Sequence, residues 1–228
     1  MMISCMAIAL SFFVMSNVFY AKDHNSKKWI ALTFDDGPKR GTTDILLEEL
    51  RKRDVKATFF LIGEQIEENK DIVKQMYQDG HQIGNHTFHH MNLNTLDFDT
   101  QKKELILCNH MIGECANESS LCIRPPYGEV NEAIKLWINA PIILWSVDTL
   151  DWTGKTAEEI AAHIIENAKA GDIVLMHDIY DESIKGVILA IDQMKKQGYS
   201  FVTVRQMFYN YHKPLEKGKV YRKIIVEK

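Results

Sequence analysis

Along this chain, short apolar runs alternate with stretches whose apolar residues recur every three or four positions. "WIALTF" (29–34), "ATFFLI" (57–62) and "HQIGN" (81–85) read as strands. "TTDILLEELRKR" (42–53) and "NKDIVKQMYQDG" (69–80) between them read as helices, the second closed by Gly80. A third helix is expected from about Asp99 to Gly113. "LCIRPP" (121–126), "PIILWSV" (141–147), "DIVLM" (172–176) and "YSFVTV" (199–204) supply four more strands. The helix after the fifth strand opens with a capping box, Thr156 to Glu159, and the pattern stops at Gly171. The helix over 183–198 puts Ile184, Ile188, Ile191 and Met194 on one face. Seven strands alternating with helices predict an α/β protein with a parallel sheet. A (β/α) barrel and an open doubly wound sheet both fit this rhythm.

Both architectures gather the carboxyl ends of their strands on one face, where active sites lie. The unusual polar residues fall at those ends. Asp35 and Asp36 follow the first strand, and His86 and His90 the third. Arg124 closes the fourth, Asp148 and Asp151 follow the fifth, and His177 follows the sixth.

Composition narrows the class. The 228 residues, 46% apolar and 25% charged, suit one soluble domain with a sizeable core. A net charge of −4 argues against bulk binding to nucleic acid. Residues 1–21 are uncharged and apolar long enough for a signal peptide or a membrane anchor, with cleavage after Ala21 the preferred reading. Export would place Cys108, Cys115 and Cys122 in an oxidising compartment. A Cys115–Cys122 bridge and three free thiols are then both open. "NES" at Asn117 is a glycosylation sequon, relevant only to a eukaryotic secretory pathway. Residues 213–228 carry six Lys or Arg against two Glu, as in a solvated tail or edge strand.

The chemistry centres on "GNHTFHHMNL" (84–93) and "TFDDGP" (33–38). His86 and His90, at i and i+4, can converge on one ion if the backbone turns helically between them. An open tetrahedral metal site needs a third protein ligand. Adjacent residues leaving a strand point in opposite directions, so one of Asp35 and Asp36 can ligate while the other faces substrate, and the pair would repel without a cation or an arginine nearby. His24, His81, His110, His163 and His212 lack partners of matching spacing and read as structural.

Five motifs in order resemble the polysaccharide deacetylases with a NodB homology domain, carbohydrate esterase family four. They are "TFDDGP", "HTFHH" (86–90), "RPPYG" (124–128), "DTLDW" (148–152) and "LMH" (175–177), within a resemblance that spans Trp29 to Tyr211. The resemblance implies a distorted (β/α) barrel of about seven parallel strands, with a catalytic domain over 28–212 and a basic C-terminal extension over 213–228. It implies a metal-dependent hydrolase that releases acetate from N-acetylglucosamine units of peptidoglycan or chitin. Asp36, His86 and His90 would hold the metal, zinc by family habit, with cobalt or nickel as alternatives.

By the same resemblance Asp35 is the general base and Arg124 its salt-bridge partner, a task for which a planar guanidinium is suited. His177 is the general acid, with Asp151 raising its proton affinity and fixing its tautomer. The backbone N–H of Tyr127 would help to stabilise the oxyanion. Tyr127, Trp152 and Leu175 would line the substrate site, and His89 has no assigned role. The expected protein is a monomer, secreted or at the cell surface, touching a membrane only through an uncleaved N-terminus. A silent carbohydrate-binding protein on this scaffold and an O-acetyl esterase of the xylan type are the alternatives.

Overall fold

The computed structural model describes residues 28–117 and 122–226. The expected signal segment lies outside them. Among the described residues no helix is long and apolar enough to cross a membrane.

Strand β1 (Lys28–Asp35) is buried at every position after Lys28, as a strand covered on both faces must be. Its side chains alternate. Ile30, Leu32 and Phe34 pack outward in the main apolar cluster, while Trp29 and Ala31 join a second cluster with Phe60, Ile143 and Ile173. Thr33 and Asp35 continue that second face by the two-residue period. Asp35 therefore arrives at the mouth of an interior that is apolar lower down.

The chain continues through α1 (Thr43–Lys52), β2 (Thr58–Leu61), α2 (Gly63–Ile66), α3 (Lys70–Gln78), β3 (Gln82–Asn85) and α4 (Phe98–Cys115). After α5 (Glu132–Trp137) come β4 (Ile142–Ile143), β5 (Val147–Asp148), α6 (Ala157–Asn167) and β6 (Ile173–His177). Helix α7 (Asp181–Lys196), β7 (Tyr199–Phe201), α8 (Val204–Asn210) and β8 (Val220–Tyr221) complete it. The strand order is β3-β2-β1-β6-β5, with β7 paired to the first residues of β1 and a separate β4-β8 pair. Every named pairing is parallel. Ile123 bridges Asn85 to Ile142 and so links the two sheets into a distorted barrel. At the amino end of the strands, the first N–H groups of α8 donate to Thr58 Oγ1 at 2.9 Å and Gln82 Oε1 at 2.8 Å. These bonds seat that helix across the bottom of the barrel.

Two expected strands are corrected. Among the described residues of 121–126, which begin at Cys122, only Ile123 forms β-bridges, and Pro125 and Pro126 have no N–H to donate. The run 141–147 breaks into β4 and β5. Leu144 N still bonds Tyr221 O, but Ser146 N bonds Ile173 O, so the chain changes partner between them. The capping box at Thr156 and Glu159 is present. Cys108, Cys115 and Cys122 are free thiols, so the alternative of a Cys115–Cys122 bridge falls. Burial pushes the Cys108 thiol up to about 12, which leaves it unreactive.

Candidate active site

The motif residues converge at the carboxyl end of the barrel. A cavity of about 400 Å³ is lined by Asp35, Asp36, His86, His90, Tyr127, Trp152, Leu175 and His177, together with Gly128, Trp145, Asp148 and Tyr180. Arg124 lies behind this wall, fully buried, and Asp151 lies behind His177.

Every nitrogen of the Arg124 guanidinium donates a hydrogen bond. Nη1 donates to Asp35 Oδ1 at 2.7 Å and to Thr33 Oγ1 at 2.8 Å, Nε to Ile143 O at 3.0 Å, and Nη2 to Leu144 O at 3.3 Å. Its face lies 4.2 Å over the Phe60 ring. Burial holds its proton affinity below the ordinary arginine value, and Asp35 opposes that loss. The pair thus puts a carboxylate in a buried wall at one fixed angle.

Asp36 follows with φ 73°, in the left-handed region, so its carboxylate leaves in a different direction from that of Asp35. The next residue must be glycine: a Cβ on Gly37 would meet the buried Asp178 carboxyl at 2.3 Å. Asp178 accepts from Thr43 Oγ1 at 2.5 Å and supports this turn from below. Desolvation pushes Asp178 up to about 7 despite that bond.

Ligand atoms of Asp36, His86 and His90 all lie within 4.8 Å of one another. Nε2 of His86 and Nε2 of His90 are each 3.4 Å from Asp36 Oδ1. That oxygen is buried and has no hydrogen-bond partner, an arrangement that is costly unless a cation completes it. Nδ1 of His86 faces the Arg124 carbonyl at 2.6 Å, so it donates there and presents the Nε2 lone pair inward. Burial lowers the proton affinity of His90, aided by His86, and keeps its ring neutral for ligation. Burial works against ionisation of Asp36, but His86, His177 and His90 outweigh it and hold the carboxyl below its usual range. The donor set fits a divalent cation.

The two histidines converge without a helical turn between them. Thr87 at φ 67° and His90 at φ 57° bring the two rings together through left-handed backbone instead. The rings lie 4.9 Å apart between centroids.

On the opposite wall, His177 Nδ1 donates to Asp151 Oδ1 at 2.8 Å, which leaves Nε2 toward the cavity. Asp151 is held in turn by Ser183 Oγ at 2.6 Å and the backbone N–H of His177 at 2.8 Å. Desolvation would lower the proton affinity of His177, but Asp151 outweighs it and lifts the imidazole to about 9. Tyr127 sits at φ 62° in the "RPPYG" turn. Tyr127 is 64% exposed and Trp152 55% exposed, so both offer aromatic surface at the rim.

Five of the seven non-glycine residues with positive φ among those described (Asp36, Thr87, His90, Tyr127 and Leu150) lie in the motif loops. Such backbone costs on the order of 1 kcal/mol per residue and concentrates at functional sites. Tyr180, Trp145 and Asp178 were not anticipated. Tyr180 stands three residues past His177, in a loop leaving a strand end, a position that could have flagged it. Among the remaining histidines, His81 accepts from Ala57 N at 3.1 Å and His110 lies 3.3 Å from Glu114, both away from the cavity.

A parallel barrel carrying an Asp-His-His cluster and an Asp–Arg pair at its strand ends defines a class of α/β proteins with a candidate cation site. A family model described as polysaccharide deacetylase matches residues 22–140. The chain is 39% identical over 190 residues to a peptidoglycan-N-acetylglucosamine deacetylase of Bacillus cereus, covering 80% of this chain and 69% of that one. It is 36% identical to peptidoglycan-N-acetylglucosamine deacetylase PgdA of Listeria monocytogenes, covering 86% of this chain but 41% of that longer protein. A family 4 acetyl xylan esterase from Clostridium thermocellum, solved with a cobalt ion, superposes with a TM-score of 0.82 at 29% identity, over 86% of this chain and 99% of that one. The chain belongs to the polysaccharide deacetylase family.

Proposed function

We propose that this protein hydrolyses N-acetyl groups from N-acetylglucosamine units of a peptidoglycan-type polysaccharide, releasing acetate and leaving a free amine. One observation carries the reading: a carboxylate on an arginine, a three-ligand cluster and a histidine on a carboxylate face one cavity. Support for the substrate class comes from the names of the peptidoglycan deacetylases it resembles.

Asp36, His86 and His90 would hold the metal, with zinc the favoured ion. A divalent cation there would polarise the acetyl carbonyl and acidify water beside it. Asp35, fixed by Arg124, takes the proton of the attacking water as the new C–O bond forms. The backbone N–H of Tyr127 stabilises the developing oxyanion, and "PPYG" holds it rigidly. His177 donates the proton it carries to the amine nitrogen as the C–N bond breaks. Without that proton the leaving group would be an amide anion. Tyr127, Trp152 and Leu175, which line the cavity, would bracket the sugar.

The test is acetate release from defined acetylated oligosaccharides. Chitooligosaccharide and peptidoglycan fragments should release acetate. A chelator should stop the release, and a divalent ion should restore it. Release from acetylated xylan alone would convert the reading to an esterase, and glycan binding with no release would make this a silent binding protein. Export to the cell wall, with residues 1–21 as the signal, belongs to the same proposal.

The acid role makes a further prediction. His177 must be protonated to act, so kcat/KM falls as pH rises through its pKa. Asp151→Asn removes the partner that raises that pKa. The alkaline limb of the pH profile should therefore move down by about one pH unit or more. An unmoved limb would exclude His177 as the acid.

A further inference from the structure

Helix α4 buries a stripe of Gln101, Glu104, Leu105, Cys108 and Ile112 against the barrel. A carboxylate in the middle of such a stripe is unusual, since the site suits an apolar side chain. Glu104 is 3% exposed. Its Oε2 accepts from the backbone N–H groups of Phe88 at 3.1 Å and His89 at 2.8 Å, and its Oε1 faces His89 Nδ1 at 2.7 Å. All three bonds fall between the two histidines of the metal cluster.

Residues 86–90 have no helical ladder to define their shape. The His86 N–H donates to Leu61 O at 3.0 Å, and those of Thr87, Phe88 and His89 are taken by side chains. Asn85 Oδ1 accepts from Thr87 N at 2.7 Å, while its Nδ2 donates to Leu105 O at 2.9 Å and Asn109 Oδ1 at 2.7 Å. Glu104 takes the next two. On the other side Gly63 N and Glu64 N donate to Thr87 O and Phe88 O, both at 3.0 Å. The loop holds two left-handed residues, Thr87 and His90, and would relax toward ordinary backbone without these ties. Relaxation would swing the His90 ring away from Asp36.

We propose that Glu104 is a positioning residue for the metal-binding loop: from helix α4 it sets the path of Phe88 and His89, and thereby the spacing of His86 and His90. This rests on the reading of Asp36, His86 and His90 as metal ligands. His89, which has no place in the cluster, is the outer partner of the clamp. Partners of this kind typically change metal affinity by about 10- to 100-fold.

The experiment uses the full chain and cobalt(II) alone as probe, with affinity read by competition against a chromophoric chelator and geometry by the visible d–d spectrum. Glu104→Gln keeps the size but exchanges the charged acceptor of two backbone N–H groups for a neutral one and sets an NH2 against His89 Nδ1. It should weaken cobalt binding about 10- to 100-fold and alter the spectrum. Glu104→Ala should do the same or more. If the alanine variant does not fold, the near-isosteric glutamine variant decides. His89→Ala keeps both backbone bonds and should cost a few-fold at most. Glu104 variants that fold, bind cobalt as tightly as the parent and show its spectrum would overturn the proposal. Asp36→Ala separates the underlying reading. A parent that binds no cobalt, or an Asp36→Ala variant that binds it equally well, would remove the metal site itself and the clamp's role with it.

Discussion

Asp35→Asn is expected to lower acetate release by about 10³-fold, the range for removing a positioned general base. Cobalt affinity and KM should change little. The amide is nearly isosteric, and its oxygen can still accept from Arg124 Nη1, which now bonds Asp35 at 2.7 Å. What is lost is the capacity to take a proton. A structural role for Asp35 would instead appear as a fall in metal affinity or unfolding midpoint with residual activity near the parent's. Retention of more than a tenth of the parent rate would remove Asp35 from the proton path.

Arg124→Met should be the most destabilising single change at the site. It deletes donors to Asp35, Thr33, Ile143 and Leu144 together and strands a carboxylate that is 3% exposed. Breaking a buried pair from one side costs about 3–5 kcal/mol, because the remaining charge is uncompensated. Denaturant unfolding of metal-free protein would read this directly. Arg124→Lys should recover part of it at best, since an ammonium cannot span four acceptors spread around a plane. Activity should fall with stability in both variants, because Asp35 loses its fixed orientation. A loss below about 1 kcal/mol for Arg124→Met would mean that the pair contributes little to the fold.

The site residues were legible to different degrees. Asp35, Asp36, His86, His90, Arg124, Asp151 and His177 sit where apolar runs end, and parallel topology carries such ends to one face. Glu104 was not legible. Its place on the helix expected from about Asp99 to Gly113 is visible, but its partners are backbone groups of a distant loop, and no side-chain pattern records those. Trp145 falls within the run over 141–147 that predicts a single strand. It faces the cavity because the chain changes partner between Leu144 and Ser146. Tyr180 and Asp178 belong to the turn after β6, whose path depends on contacts with the "TFDDGP" loop.

The linear chain was enough to establish the α/β class, the alternation of its main strands and helices, and the residue types carrying the chemistry. Apolar periodicity reports burial locally, and motif spacing reports strand ends. Folding in three dimensions decided the rest. It selected a barrel over an open sheet, split one expected strand in two, and brought His86 and His90 together through left-handed backbone held from α4. Those outcomes depend on strand closure and on hydrogen bonds between segments far apart in the chain. Each is a balance among several packed neighbours at once, and no local window of residues contains all of them.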